Sequence, residues 1–409
     1  MTVEPIQRPL PRLKEIASQV NRYNTVNALV AFLFCITGPL AILLGVSTQG
    51  GLSQADITTW IFSGYTFGGV FSILFCLLFR QPIALAWTIP GAVLLTGALD
   101  HLEFREVIGA YLVSGVLIGV LGITGWIKKG MEWIPMPIVM GMVAGVFLPL
   151  GLNIIAAFHE VFWIAVATLV AFVLLSLQPS VARVVPPVLG AVLAGAVVAV
   201  LFGQFRIGHP LTLTVVKPLF YIPSFSLQAI LELVVPLTIT VIGIQNAQGI
   251  AVLKGAGYDP PVNAMTVACG GGSILFGLFG SVPTCVTGPV NAILNSSGEK
   301  EHRYVGGIIF GLLIILFGIF SPVTAALAMA LPAAFIGMLG GLAMIRVLQG
   351  AFVDAFRSSF PLGALVSFLV TISNLTLFNI GAAFWGLVFG FAASWLLERG
   401  DFQKLRMAS

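Results

Sequence analysis

A chain of 409 residues that is 58% hydrophobic and 8% charged, with a mean hydropathy of +1.06, lies outside the composition of soluble globular proteins and belongs in lipid. At roughly 20 apolar residues per helical crossing it holds about 12 to 14 spans, which leaves no room for a soluble domain beside them. The net charge of +4 comes from basic residues scattered at the ends of apolar runs, not gathered into a patch, and this argues against a nucleic-acid partner.

In chain order, residues 1–24 form a polar, basic segment expected on the cytoplasmic side. The apolar run after it is too long for a signal-peptide core and reads as a retained first span. Apolar runs between charges and prolines then predict an all-α membrane protein with spans at 25–46, 57–79, 82–99, 106–127, 136–157, 160–177, 182–203, 228–253, 260–280, 283–297, 303–320, 322–345, 360–373 and 379–397. Seven spans lie in 25–203 and seven in 228–397, joined by an external linker at 204–227 and followed by a cytoplasmic tail at 398–409. With the N-terminus inside, sixteen basic residues fall on the cytoplasmic side: Arg8, Arg12, Lys14, Arg22, Arg80, Lys128, Lys129, Arg183, Lys254, Lys300, Arg303, Arg346, Arg357, Arg399, Lys404 and Arg406. Only Arg105, Arg206 and Lys217 fall outside. A miscounted span would reverse every later loop, so the positive-inside bias supports the count.

Offsetting the chain by 201 residues aligns Gly69, Ser72, Ile73, Leu74, Phe75, Leu77 and Pro82 with Gly270, Ser273, Ile274, Leu275, Phe276, Leu278 and Pro283. At an offset of 196, Gly115, Leu117, Ile118, Gly122 and Ile123 meet Gly311, Leu313, Ile314, Gly318 and Ile319. Two halves of seven spans each predict an inverted repeat, the architecture of carriers that expose one site alternately to each side.

The third and tenth spans are short and interrupted by proline and glycine at equivalent places, in Thr88-Ile89-Pro90-Gly91 and Thr287-Gly288-Pro289-Val290-Asn291. Broken helices there would aim two N-termini at a polar cavity and form an anion site without a cationic side chain; the bland reading is a pair of packing kinks. Gln245 and Gln248 in the eighth span share a helix face, fit either to meet a carboxylate or to bond across a helix interface. Phe32 and Phe34 in the first span are candidates for the wall beside a ring. The G-x-x-x-G pairs Gly141/Gly145 and Gly337/Gly341 read as close helix packing. Cys35, Cys76, Cys269 and Cys285 sit in apolar runs without C-x-x-C spacing and read as packing residues. His101, His159, His209 and His302 fall in predicted loops, which gives neither a metal site nor a proton relay. No nucleophile elbow, P-loop or H-E-x-x-H occurs, so neither an enzyme nor a cofactor is expected.

These features resemble the benzoate membrane transport family, within the larger group of uracil/xanthine permeases and sulfate-type anion carriers. The resemblance runs over most of residues 20–397 and is carried by Ala86-Trp87-Thr88-Ile89-Pro90-Gly91-Ala92, Phe279-Gly280, Thr287-Gly288-Pro289, Arg303-Tyr304, Ala330-Leu331-Pro332 and Leu339-Gly340-Gly341-Leu342-Ala343. It implies a core domain of spans 1–4 and 8–11, a gate domain of spans 5–7 and 12–14, dimerisation, and uptake of an aromatic carboxylate with a proton across a bacterial inner membrane. Where the nucleobase permeases carry acidic residues on the eighth and tenth spans, this chain has Gln245-Asn246-Ala247-Gln248 and Gly288-Pro289, which favours an anionic substrate. Glu232, near the outer end of the eighth span, is the most embedded carboxylate and the candidate for proton coupling, unless benzoic acid itself delivers the proton. A nucleobase or inorganic-anion carrier of the same fold, and a passive anion channel, are the competing expectations.

Overall fold

The computed structural model describes residues 3–6, 9–126, 135–178, 181, 186–206, 214–296, 298–357, 359–373, 375, 377 and 382–402. Arg8, Lys128, Lys129, Arg183, Lys404, Arg406 and His209 lie outside the described residues. A short helix, α1 (Leu13–Gln19), precedes α2 (Arg22–Cys35) and α3 (Gly38–Gln49), which continue one another across a break at Ile36 and Thr37. Pro39 in the first turn of α3 explains the break, because its ring tolerates only the start of a helix. After α4 (Gln54–Phe79) the chain runs extended as β1 (Leu85–Trp87) and restarts as the half-length α5 (Ile89–Ala98). Next come α6 (Phe104–Thr124), α7 (Met136–Glu160), α8 (Phe162–Ser176) and α9 (Pro187–Leu201). The second half follows with α10 (Leu227–Gly255), α11 (Val262–Leu278), β2 (Thr284–Val286), α12 (Gly288–Leu294) and α13 (Arg303–Ile319). It ends with α14 (Ser321–Met329), α15 (Ala333–Phe356), α16 (Pro361–Ile372) and α17 (Ala382–Leu397). Among the described residues seven helices, with α2 and α3 counted together, are long and apolar enough to cross a membrane; six shorter apolar helices accompany them.

The twelfth predicted span differs from the structure at both ends. Pro332 separates α14 from α15, so residues 322–329 form a helix of their own. At the other end, Arg346 does not stop α15, which runs on to Phe356 and buries Leu348, Ala351 and Ala355 while the guanidinium stays exposed and bonds to Gln349 Oε1 at 3.1 Å. A single long cation beside water leaves the helix intact, because its stem lies along apolar surface.

The aligned glycines of the two halves make reciprocal contacts. A Cβ on Gly69 would stand 2.5 Å from the carbonyl oxygen of Gly311, and one on Gly270 would stand 2.4 Å from the nitrogen of Gly119 and 2.7 Å from the oxygen of Gly115. Thus α4 meets α13, and α11 meets α6, backbone against backbone. The other glycine pairs divide. Gly141 and Gly145 of α7 abut Ala364 and Thr371 of α16, and Gly341 of α15 abuts the Leu150 carbonyl, whereas Gly337 is not tightly packed: its nearest neighbour, Asn153 Nδ2, would lie 3.4 Å from an added Cβ.

Two straps tie these helices together at opposite ends. On one face the Glu4 carboxylate accepts from the Asn263 and Ala264 N–H groups (3.1 and 2.9 Å) and caps α11, Glu15 pairs with Arg80, and the Tyr304 hydroxyl donates to Gln19 Oε1 at 2.7 Å. On the other, residues 216–224 are bonded to helix ends: Val216 N–H to Ile319 O, Leu219 N–H to Thr59 Oγ1, Tyr221 N–H to Leu278 O and Ser224 N–H to Arg105 O. Arg80 holds the Glu15 carboxyl below its ordinary pKa. A lowered folded-state pKa places this contact's contribution above the unfolded value and removes it as pH falls through the folded one. Cleavage of the segment before α2 by an acid-active protease is therefore expected to stay slow above about pH 4.3 and to accelerate only below it.

Candidate substrate site

β1 and β2 pair antiparallel, Leu85 opposite Val286, Ala86 opposite Cys285 and Trp87 opposite Thr284. The Thr88 N–H donates to Pro283 O (2.9 Å) and the Thr287 N–H to Ala84 O (3.1 Å), so the ladder reaches both helix starts. Extended backbone inside a membrane protein must find partners within the protein. Four buried side chains complete that requirement: Leu85 N–H donates to Ser72 Oγ (2.9 Å), Thr284 N–H to Ser273 Oγ (3.0 Å), Ala84 N–H to Asn291 Oδ1 (2.8 Å) and Val286 N–H to Asn246 Oδ1 (2.7 Å). Ser72 and Ser273 are a pair aligned by the internal repeat and do the same work in each half.

The crossing encloses a cavity of about 20 Å³, lined by Phe34, Pro39, Tyr65, Trp87, Ile89, Gln245, Thr287, Val290 and Phe310 among others. Two π-helical turns shape it. Ser63–Phe67 in α4 presents Gly64 and Tyr65, and Thr240–Asn246 in α10 presents Gln245; such turns mark functional sites in many helices. Gly64 leaves room for the indole of Trp87, since a Cβ there would stand 2.7 Å from its Cδ1. The Tyr65 hydroxyl donates to Cys35 O at 2.7 Å, and its ring lies 6.4 Å from Trp87 and 5.1 Å from Phe317. Gln245 is 6% exposed and carries the amide on the cavity wall, while at the crossing the buried Asn291 Nδ2 and Thr284 Oγ1 have no hydrogen-bond partner among the described residues.

The residues singled out in the sequence therefore spread over several places. Phe34, Ile89, Gln245, Thr287 and Val290 line the cavity. Thr88 is fully buried and caps α5, its hydroxyl accepting from the Gly91 N–H at 3.3 Å, with Pro90 buried in the same turn. Gly288 and Pro289 open α12, and Asn291, fully buried, spends its Oδ1 on the Ala84 backbone. Gln248 is exposed and lies over Gly288, one turn from Gln245, while Phe32 turns to Phe317, rings 6.1 Å apart. Glu232 is 5% exposed, with its Oε2 2.9 Å from Nε2 of His101, which lies in an exposed turn and reaches in to this buried carboxylate. Tyr65 escaped the sequence reading, and Trp87 entered it only within the motif Ala86 to Ala92 and not as a site residue. Trp87 stands next to the Thr88-Ile89-Pro90-Gly91 turn, but the fold alone brings Tyr65 to it.

The arrangement is that of a membrane transporter. Solved structures show the same fold: the transmembrane domain of a cyanobacterium bicarbonate transporter, BicA (TM-score 0.63, 16% identity, 93% of this chain and 98% of that one), and SLC26A9 (TM-score 0.64, 12% identity, 94% of this chain and 66% of that one). The family profile described as "Benzoate membrane transport protein" matches residues 18–396, and the chain belongs to that family. It is 31% identical over 372 residues to "Inner membrane protein YdcO" of Escherichia coli (strain K12), covering 87% of this chain and 93% of the relative. It is 27% identical over 393 residues to the "Benzoate membrane transport protein" of Acinetobacter baylyi (strain ATCC 33305 / BD413 / ADP1), covering 94% and 98%.

Proposed function

We propose that the protein imports benzoate or a related aromatic carboxylate, together with protons, across the inner membrane of a bacterium by alternating access. The observation that carries this reading is the pairing of an aromatic-walled cavity with the Gln245 amide on its wall. A ring packs against Phe34, Tyr65, Trp87 and Phe310, and its carboxylate takes the Gln245 amide and the Thr287 end of the crossing. At about 20 Å³ the cavity has room for a water molecule, far below the ~300 Å³ at which small-molecule pockets begin. Transport therefore requires the core (spans 1–4 and 8–11) to move against the gate (spans 5–7 and 12–14). The reciprocal contacts of Gly69 with Gly311 and Gly270 with Gly115 support an inverted repeat within that core. The positive-inside bias supports cytoplasmic termini, which puts the Glu4 and Glu15 strap inside and residues 216–224 outside.

The test is uptake of labelled benzoate into liposomes holding the purified protein, with and without an inward proton gradient, against protein-free liposomes that measure leak of the neutral acid. Saturable, gradient-driven accumulation is expected. Because the fold is shared with a bicarbonate transporter, bicarbonate, sulfate and uracil serve as competitors; displacement of benzoate by any of them at equal concentration moves the assignment to that class. Flux that never saturates and never concentrates the ion indicates a channel. Glu232, paired with His101, is the coupling candidate. If Glu232→Gln keeps gradient-driven uptake, the proton travels on the acid itself; if accumulation is lost while downhill exchange persists, Glu232 carries it.

A further inference from the structure

Outside the central cavity, a crevice of 190 Å³ opens between the end of α3, the second half of α7 and the start of α15. Its walls include Gly45 and Gln49 of α3, Asn153 and Glu160 of α7, and Gly337 of α15. Asn153, half-buried, is the one polar side chain in the run Leu152 to Ala157 and lines the crevice. An amide at that depth is costly unless water or a passing ligand meets it. Facing it is Gly337, which packing does not demand, since an added Cβ would find only Asn153 Nδ2 at an ordinary 3.4 Å.

The crevice stops one layer short of the central cavity. One turn inward from Gly45, Asn153 and Gly337 come Ala41, Leu150 and Gly341, where an added Cβ on Gly341 would stand 2.2 Å from the Leu150 carbonyl oxygen, so this layer is shut. Beyond it lies Pro39 on the cavity wall. Four residues of helix rise only about 6 Å, so a single packed layer parts the two spaces.

We infer that this crevice is the outer entrance to the site, and that Asn153 is a specificity-determining residue within it, donating its amide to a monocarboxylate on the way in while Gly337 keeps the passage wide. The inference rests on the transport reading above. The only ionised side chain on the crevice wall among the described residues is Glu160, so the passage offers a carboxylate an amide rather than a cation and disfavours dianions.

The experiment uses the full chain in right-side-out membrane vesicles. Asn153→Cys is treated from outside with a membrane-impermeant thiol reagent; the four native cysteines are buried, so the unaltered protein is the blank. Labelling that benzoate slows is expected. In parallel, Asn153→Ala should raise the KM for benzoate about tenfold, the loss of one hydrogen bond to a charged group, with the maximal rate held within about twofold. Gly337→Ala should raise KM less, and Gly337→Val should block uptake while protein level and melting temperature hold. Absence of labelling from outside, or an unchanged KM in Asn153→Ala, overturns the inference. If the unaltered protein moves no benzoate, the transport reading fails, and labelling alone still decides whether the crevice opens outward.

Discussion

Gly270→Ala should sharply reduce the yield and melting temperature of the purified protein, while Gly271→Ala, one residue along, should leave both unchanged. An added methyl at Gly270 meets the Gly119 nitrogen at 2.4 Å and its Cα at 2.5 Å, atoms of a helix backbone that cannot rotate aside, whereas Gly271 has nothing within 4 Å. Overpacking of a well-filled contact costs about 1–3 kcal/mol where side chains can yield, and more is expected where α6 and α11 must part along their length. Gly69→Ala, 2.5 Å from the Gly311 oxygen, should repeat the effect in the other half of the molecule. Thermal unfolding in detergent, followed by loss of the monodisperse peak, reads all three. Equal melting temperatures for Gly270→Ala and Gly271→Ala would mean that these helices do not touch as described.

The second large effect separates two neighbouring amides. Gln245→Ala should lower the affinity for benzoate roughly ten- to a hundred-fold, the range for a lost hydrogen bond to a charged group of about 1.5–3 kcal/mol, and leave the melting temperature unchanged. Asn246→Ala should depress both, because it strips the Val286 N–H of its acceptor inside the protein, a penalty of about 1–3 kcal/mol, and loosens the strand on which Thr287 is set. Asn291→Ala, which frees the Ala84 N–H, belongs with Asn246→Ala. Binding by isothermal calorimetry, set beside thermal unfolding, gives the two readouts. A Gln245→Ala protein that binds normally would dismiss the cavity as the site.

Much of this organisation could be read from the chain because lipid imposes simple rules: apolar runs, the prolines that interrupt them, and the side on which cations gather. Pro90 and Pro289 are tolerated only in the first turn of a helix, where α5 and α12 hold them, and so announce where the third and tenth segments change. The partner of each extended stretch was hidden. Leu85-Ala86-Trp87 is apolar throughout and Thr284-Cys285-Val286 is buried throughout, so neither shows the polar alternation of a strand, and their pairing spans about half the chain. Polar residues inside apolar runs were equally visible but ambiguous in use. Asn246, Asn291 and Gln245 look alike in sequence; only the distances to Val286 N and Ala84 N separate the two that hold backbone from the one that lines the cavity. Asn153 was not singled out at all, and His101 was read as a loop residue because its acidic partner is 131 positions away.

The crossing of β1 and β2 also bears on how the protein is made. A ten-residue helix such as α5 extends about 15 Å, half of the roughly 30 Å hydrocarbon layer, and the stretch that completes the crossing has backbone groups promised to residues 283–286. At about 5–20 residues per second, a ribosome needs on the order of ten to forty seconds to deliver that partner. Throughout this interval the third segment is an incomplete crossing, and it must wait in a sheltered, hydrated place beside the insertion machinery or at the bilayer surface. Maturation of the site is therefore a late event of biogenesis, and a chain truncated before residue 283 should carry a third segment that remains open to proteases and chaperones.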